Sequence, residues 1–185
     1  MEKRYLFRIM KGSLMNHVKK LVYAAVCLAL ALYLPFLTGQ IPEIGSMLSP
    51  MHIPALLCGF ICGWQYGLAV GFIAPLLRHL LFSMPPMPMA LIFAFEFAAY
   101  GCIAALLYRA LPKKIGYVYI SLIGAMLGGR VVWGIGRFIL AGINHTTFPF
   151  SAFLAGAFID AVPGIILHIA IIPPVVIALK KAKAI

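Results

Sequence analysis

Only four acidic side chains occur in the 185 residues, and two of them, Glu96 and Asp160, fall inside long apolar runs. Arg130 lies in a third such run, and Arg137 follows it by seven residues, two helical turns along the same face, with Trp133 and Gly134 between them. Tyr100 stands one turn from Glu96, Arg78 and His79 close a run beside the loop SMPPMPMA, and His52 opens another. Counted from the run ends, Glu96, Arg130 and Asp160 reach similar depth. Charges at such depth require partners, a water-filled cavity or a ligand. One outcome is structural pairing of the three, which would hold a bundle in register. The other is a polar pocket lined by aromatics. There Arg130 and Arg137 offer a planar fork to a carboxylate or planar acceptor, and Glu96 accepts from hydroxyl, amide or amine groups. His168, deep in the last run among isoleucines, reads as a satisfied core histidine and stays outside the expected site.

The elements that must hold these groups follow from composition. With 64% hydrophobic residues, 10% charged and a mean hydropathy of +1.05, the chain exceeds what any soluble core requires. At about 20 apolar residues per crossing there is room for about five to seven transmembrane helices in one bundle, a single domain over residues 1–185. Apolar runs occur at 18–37, 52–63, 66–82, 87–109, 115–141 and 150–179. Splitting GWQYG at Gly63 and Gly67 gives six helices. Three basic clusters, Lys3 to Lys20, Arg109 to Lys114 and Lys180 to Lys183, hold 12 of the 15 Lys and Arg residues and then fall on one side with both termini, the positive-inside pattern of a cytoplasmic face. The second helix, about 18 Å long, is too short to cross a hydrocarbon core of about 30 Å, so the stretch TGQIPEIGSMLSPM must dip toward the bundle.

Several functions are disfavoured. The +11 net charge is not arranged as a basic stripe interleaved with aromatics, which argues against a nucleic-acid reader. A basic stretch before an apolar run also fits a secretory signal, yet no small-residue cleavage site follows Leu37. No Gly-rich loop followed by Lys and Ser or Thr offers a nucleotide site, so ATP hydrolysis must reside elsewhere. An intramembrane enzyme using His52, His79, His145 or Asp160 lacks the H-E-x-x-H and G-x-S-x-G patterns. A secondary transporter working alone is the stronger competitor, although no inverted repeat is evident. Cys27, Cys58, Cys62 and Cys102 all lie within runs as small apolar filler, and no metal or other cofactor is expected. Gly59, Gly63, Gly67 and Gly71 recur every fourth position, and Ala25 and Ala29 are one turn apart; such faces let backbones approach, within the bundle or against a partner.

The order of SPMHIPALLCGFICG, GLAVGFIAPLLRHLLF, the Met-Pro loop SMPPMP and then FEFAAYG resembles the substrate-binding S component of energy-coupling factor (ECF) transporters, in the branch of pantothenate, folate and riboflavin carriers. The likeness spans most of the chain and is strongest from Ser49 to Gly101. It implies an all-α membrane protein with a six-helix bundle, capture of a vitamin-like micronutrient from outside, and docking onto a transmembrane coupling subunit driven by two ATPase subunits. It also implies that Ala25 and Ala29 match the small-residue docking motif of helix 1, and that the Pro-flanked loop before His52 forms part of a movable wall and lid. The expected solute-contacting set is Glu96, Arg130, Asp160, Arg137, Tyr100, Trp133, His52 and Arg78. The excess positive charge among them favours an anionic, pantothenate-like solute, with a planar base held by Glu96 and stacked on Trp133 or Tyr100 as the alternative.

Overall fold

A computed structural model describes residues 2–38, 48–112 and 114–182. Helix α1 spans Glu2–Tyr33 and tightens into a 3-10 turn over Leu34–Thr38. It is followed by α2 (His52–Cys62), α3 (Trp64–Phe82), α4 (Met89–Ala110) and α5 (Ile115–Ile143). The sixth span, Phe150–Lys181, is built of α6 (Phe150–Leu154), a π-helical turn (Ala155–Ile159) and α7 (Val162–Lys181). Among the described residues, five helices are long and apolar enough to cross a membrane: His17–Leu37, Trp64–Phe82, Met89–Ala110, Ile115–Ile143 and Phe150–Lys181. Helix α2, with 11 residues, is the short one.

Every residue of α2 except Ile61 is buried, and this is what an apolar helix without a polar face requires. Its Pro54 sits in the first turn, where the missing N–H breaks no helical hydrogen bond. The link to α3 is a single residue. Gly63 takes φ +97°, a backbone conformation that L side chains rarely adopt, while its N–H still donates to the Gly59 carbonyl at 3.2 Å. The break therefore falls at Gly63 alone; Gly67 lies inside α3.

Helix α4 is the axis of the bundle, packing on α2, α3 and α5. The glycines explain how. A Cβ on Gly59 would stand 2.3 Å from the Gly101 carbonyl oxygen, one on Gly67 2.8 Å from the same atom, and one on Gly71 2.3 Å from the Phe97 carbonyl oxygen. Three backbones touch at one vertex, and that close approach needs hydrogen at each Cα. The small-residue face of α2 and α3 is thus used within the bundle. Inside, Leu56 and Phe60 of α2, Phe97 and Tyr100 of α4, Leu122 and Ala125 of α5, and Ile172 and Val176 of α7 form one apolar core. A second cluster joins Ala24 and Cys27 of α1 to Cys58 and Cys62 of α2 and Val70 of α3. By contrast α7 touches α2 and α5 only sparsely, so the sixth span is the least anchored wall.

Candidate functional site

Glu96 is fully buried on α4, and three side chains converge on its Oε1. Tyr100, one turn along α4, donates its hydroxyl at 2.9 Å, and Arg130 of α5 donates from Nη1 at 3.2 Å. His52 Nε2, at the start of α2, stands 3.5 Å away without forming a hydrogen bond. Room for the Tyr100 ring comes from Gly129, where a Cβ would sit 2.3 Å from the ring. Sequence separation of four fixed Tyr100 beside Glu96; helix packing supplied the other two.

The SPMHIP stretch is explained by what Ser49 does. Its φ of +45° is the left-handed region, uncommon for a residue with a side chain. Its carbonyl oxygen is met by the His52 backbone N–H at 3.0 Å, the His52 Nδ1 at 3.0 Å and, from α7, the His168 Nε2 at 3.3 Å. A carbonyl only accepts, so Nδ1 of His52 and Nε2 of His168 carry the hydrogens. In neutral rings the opposite nitrogens are then acceptors, and both His52 Nε2 and His168 Nδ1 are buried without a hydrogen-bond partner. Glu96 Oε2 is a third buried acceptor left unpaired. His52 also packs on Phe97 and Tyr100, at ring-centroid distances of 4.3 and 5.0 Å.

Farther along α5, Trp133 lies between two guanidinium groups, with Arg130 6.0 Å and Arg137 5.9 Å from its ring. It stacks on Phe153 of α6, and Phe148 stands edge-on to it. Glycine again makes the space: a Cβ on Gly134 would strike Phe153, and one on Gly156 would reach Trp133 at 3.0 Å. Arg137 donates Nη1 to the Met89 sulfur at 3.2 Å and lies over the Phe148 ring, while its buried Nε has no partner. Its charge faces no carboxylate among the described residues.

Two expected members of the site stand elsewhere. Asp160 is exposed just past the π-helical turn, where its own N–H bonds back to the Ala155 carbonyl, so the three-way pairing with Glu96 and Arg130 does not form. One extra residue in a turn rotates everything after it by about 100°, and this takes Asp160 off the inward face. Arg78 is buried against α1: Nη1 donates to the Leu32 carbonyl, and the guanidinium packs against the Phe36 and Phe82 rings, at 5.0 and 5.4 Å. It ties α3 to the end of α1. Conversely His168, expected to be a satisfied core residue, joins the site with one nitrogen unpaired. The burial of Gly164, one turn earlier on α7, marks that face. Among the described residues no group of three or more His, Cys, Asp or Glu is placed to hold a metal ion. Ala25 and Ala29 are exposed on α1, opposite the packed Ala24, Cys27 and Ala31.

A family model described as ECF transporter, substrate-specific component, matches residues 19–176. The chain belongs to that family. The match takes in α2 to α6 whole, the second half of α1, most of α7 and every group around Glu96, so the buried polar cluster lies within the family unit. S components bind the transported solute rather than transform it, and they sit in the membrane as multi-pass proteins. No curated protein and no solved structure matches this S component.

Proposed function

We propose that this S component captures a small carboxylate-bearing micronutrient of the pantothenate kind from outside the cell, and delivers it to an ATP-driven module of one transmembrane coupling subunit and two ATPase subunits. The observation that carries the anionic preference is Arg137, whose buried Nε is unpaired and whose guanidinium faces no carboxylate among the described residues. A solute carboxylate there would supply the missing counter-charge through a fork that lysine cannot reproduce. Arg130, first in line from the sequence, already has Glu96 as its ion-pair partner. Seven helical residues separate the two arginines, about 10 Å along α5. A solute of that length would place hydroxyl or amide donors near Glu96 Oε2, His52 Nε2 and His168 Nδ1, the three buried acceptors without partners.

In this reading the termini and the basic clusters face the cytoplasm, and Met89, Arg137 and Phe148 lie toward the outside. Ala25 and Ala29 form the face for the coupling subunit. Their exposure beside Leu21, Val22 and Val26 on α1 supports it, because two small residues one turn apart make a shallow seat in an apolar ridge. The sixth span, sparsely held on α2 and α5, is the wall that yields when the solute enters.

The test is reconstitution. The chain alone in liposomes should bind a pantothenate-like acid saturably without concentrating it, and addition of the coupling and ATPase subunits with ATP should start accumulation. Ion-driven accumulation by the chain alone would instead establish a secondary transporter.

A further inference from the structure

His52 enters the site with one ring nitrogen already committed. Its Nδ1 donates to the Ser49 carbonyl at 3.0 Å, so in the neutral ring Nε2 presents a lone pair, and Oε1 of the buried Glu96 carboxylate stands opposite at 3.5 Å. Two acceptors therefore face each other. A proton on Nε2 would turn the contact into a charge-assisted hydrogen bond, whose usual length is about 2.7–2.9 Å. The ring is held ready for it: Phe97 and Tyr100 pack on it at 4.3 and 5.0 Å, and the Ser49 carbonyl accepts from Nδ1 in the neutral and the charged ring alike. Among the described residues, the titratable and charged groups around His52 are Glu96 and Tyr100 from α4, Arg130 from α5, which shares Oε1 at 3.2 Å, and His168 from α7, its ring centroid 5.6 Å away. Helices α1 and α3 reach α2 at Cys58 and Cys62 instead, through Cys27 and Val70, and Arg78 is turned to the Leu32 carbonyl.

From this arrangement we propose that His52 is a proton-binding site loaded together with the solute: Nε2 takes one proton from water, and the imidazolium donates it as a hydrogen bond to Glu96 Oε1. An N–H bond forms as an O–H bond of hydronium breaks, and no electron is transferred. The inference rests on the anionic reading of the solute. In the empty site Arg130 already neutralises Glu96, so an added imidazolium would bury a further positive charge beside that ion pair. A solute carboxylate lowers the charge of the site by one, and the proton restores it. Binding and protonation then favour each other, as linkage requires. The acid binds more tightly as pH falls, and that gain is lost as pH rises.

The experiment is calorimetric titration of the full chain in nanodiscs with pantothenate, in HEPES and in Tris at one pH, because the difference in buffer ionisation heat counts protons. Between about pH 5 and 8, where histidine side chains change charge, up to about one proton per bound solute should be taken up, and affinity should rise by at most about tenfold per pH unit as pH falls. The amide analogue should bind without uptake. His52→Gln, whose amide does not titrate, should give equal heats in both buffers and an affinity independent of pH. Pantothenate bound by the wild type with equal heats in both buffers overturns the proton site, whether or not the variant folds, and leaves the anionic reading intact. Uptake that persists in His52→Gln and is lost in His168→Gln overturns the assignment in favour of His168. Equal uptake with the amide overturns the link to solute charge. Failure of pantothenate and other small carboxylic acids to bind overturns the anionic reading and this inference with it.

Discussion

Ser49 and His168, 119 positions apart in the chain, meet at 3.3 Å where the imidazole Nε2 donates to the serine carbonyl, linking the loop before α2 to the sparsely packed α7. In the proposed reading, this hydrogen bond ties the wall that yields to the solute to the loop before α2. Replacing His168 with Leu removes the donor and leaves the carbonyl with the two contacts from His52. One lost buried hydrogen bond should cost about 0.5–1.5 kcal/mol. Solute affinity should fall about three- to tenfold. His168→Gln, whose amide can still donate, should recover most of it. Calorimetric titration of both variants decides, and equal affinity in His168→Leu and wild type would remove the hydrogen bond from the binding mechanism.

For the solute itself, the two arginines are expected to behave differently. Arg137→Lys keeps a positive charge but loses the planar fork, and a buried contact of that kind is worth about 1.5–3 kcal/mol, or roughly ten- to a hundredfold in affinity. Arg130→Lys should disturb the ion pair with Glu96 as well, lowering both Tm and affinity. Binding isotherms for a carboxylate solute and its amide analogue give the readout. Preference for the acid should vanish in Arg137→Lys; if Glu96→Gln alone abolishes binding, the planar-base solute takes its place.

The glycine vertex makes a prediction with an internal control. Gly101→Ala would put a Cβ 2.3 Å from the Gly67 carbonyl oxygen, and relief requires two helices to part. A loss of about 1–3 kcal/mol is expected. In a chain of this size that lowers Tm by at least about 2 °C. Gly116→Ala, with nothing within 4 Å of its added Cβ, should leave Tm unchanged or slightly raised. Matching melting curves for the two variants would show that the vertex does not bear on stability.

Docking is tested separately from binding. Ala25→Leu with Ala29→Leu adds bulk to an exposed face of α1 and touches no group near Glu96. Solute affinity should stay at the wild-type value while co-purification with the coupling subunit is lost. An intact complex from the double variant would move the interface to another surface.

The helical bundle and its short second helix were legible from apolar run lengths, because the rise per residue converts residue count to length. Rotation about each axis was not. Glu96, Tyr100, Arg130, Trp133 and Arg137 lie on continuous helices, so their spacing carried their relative facing as well. Asp160 follows a π-helical turn, and His168 follows both that turn and a proline-bearing restart, Val162-Pro163-Gly164, which shift phase without leaving a mark in hydropathy. Arg78 had the expected place along α3, but its direction depended on the Leu32 carbonyl and the Phe36 ring that follow from α1 packing. The residues 39–47 within the expected dipping loop, together with Lys113 and Lys183, lie outside those described, as do the side chains of residues 1–16.

The contact of Gly59, Gly67 and Gly101 also sets terms for redesign. Where three main chains abut there is no side-chain volume to trade, so α2, α3 and the middle of α4 form a template that accepts almost no change of size. The region around Trp133, Phe148 and Phe153 is built instead from rings seated over Gly134 and Gly156, where exchanging an aromatic alters shape without displacing a backbone. A library aimed at a new cargo should therefore diversify the outer part of α5 and the start of the sixth span, and hold the glycine template constant.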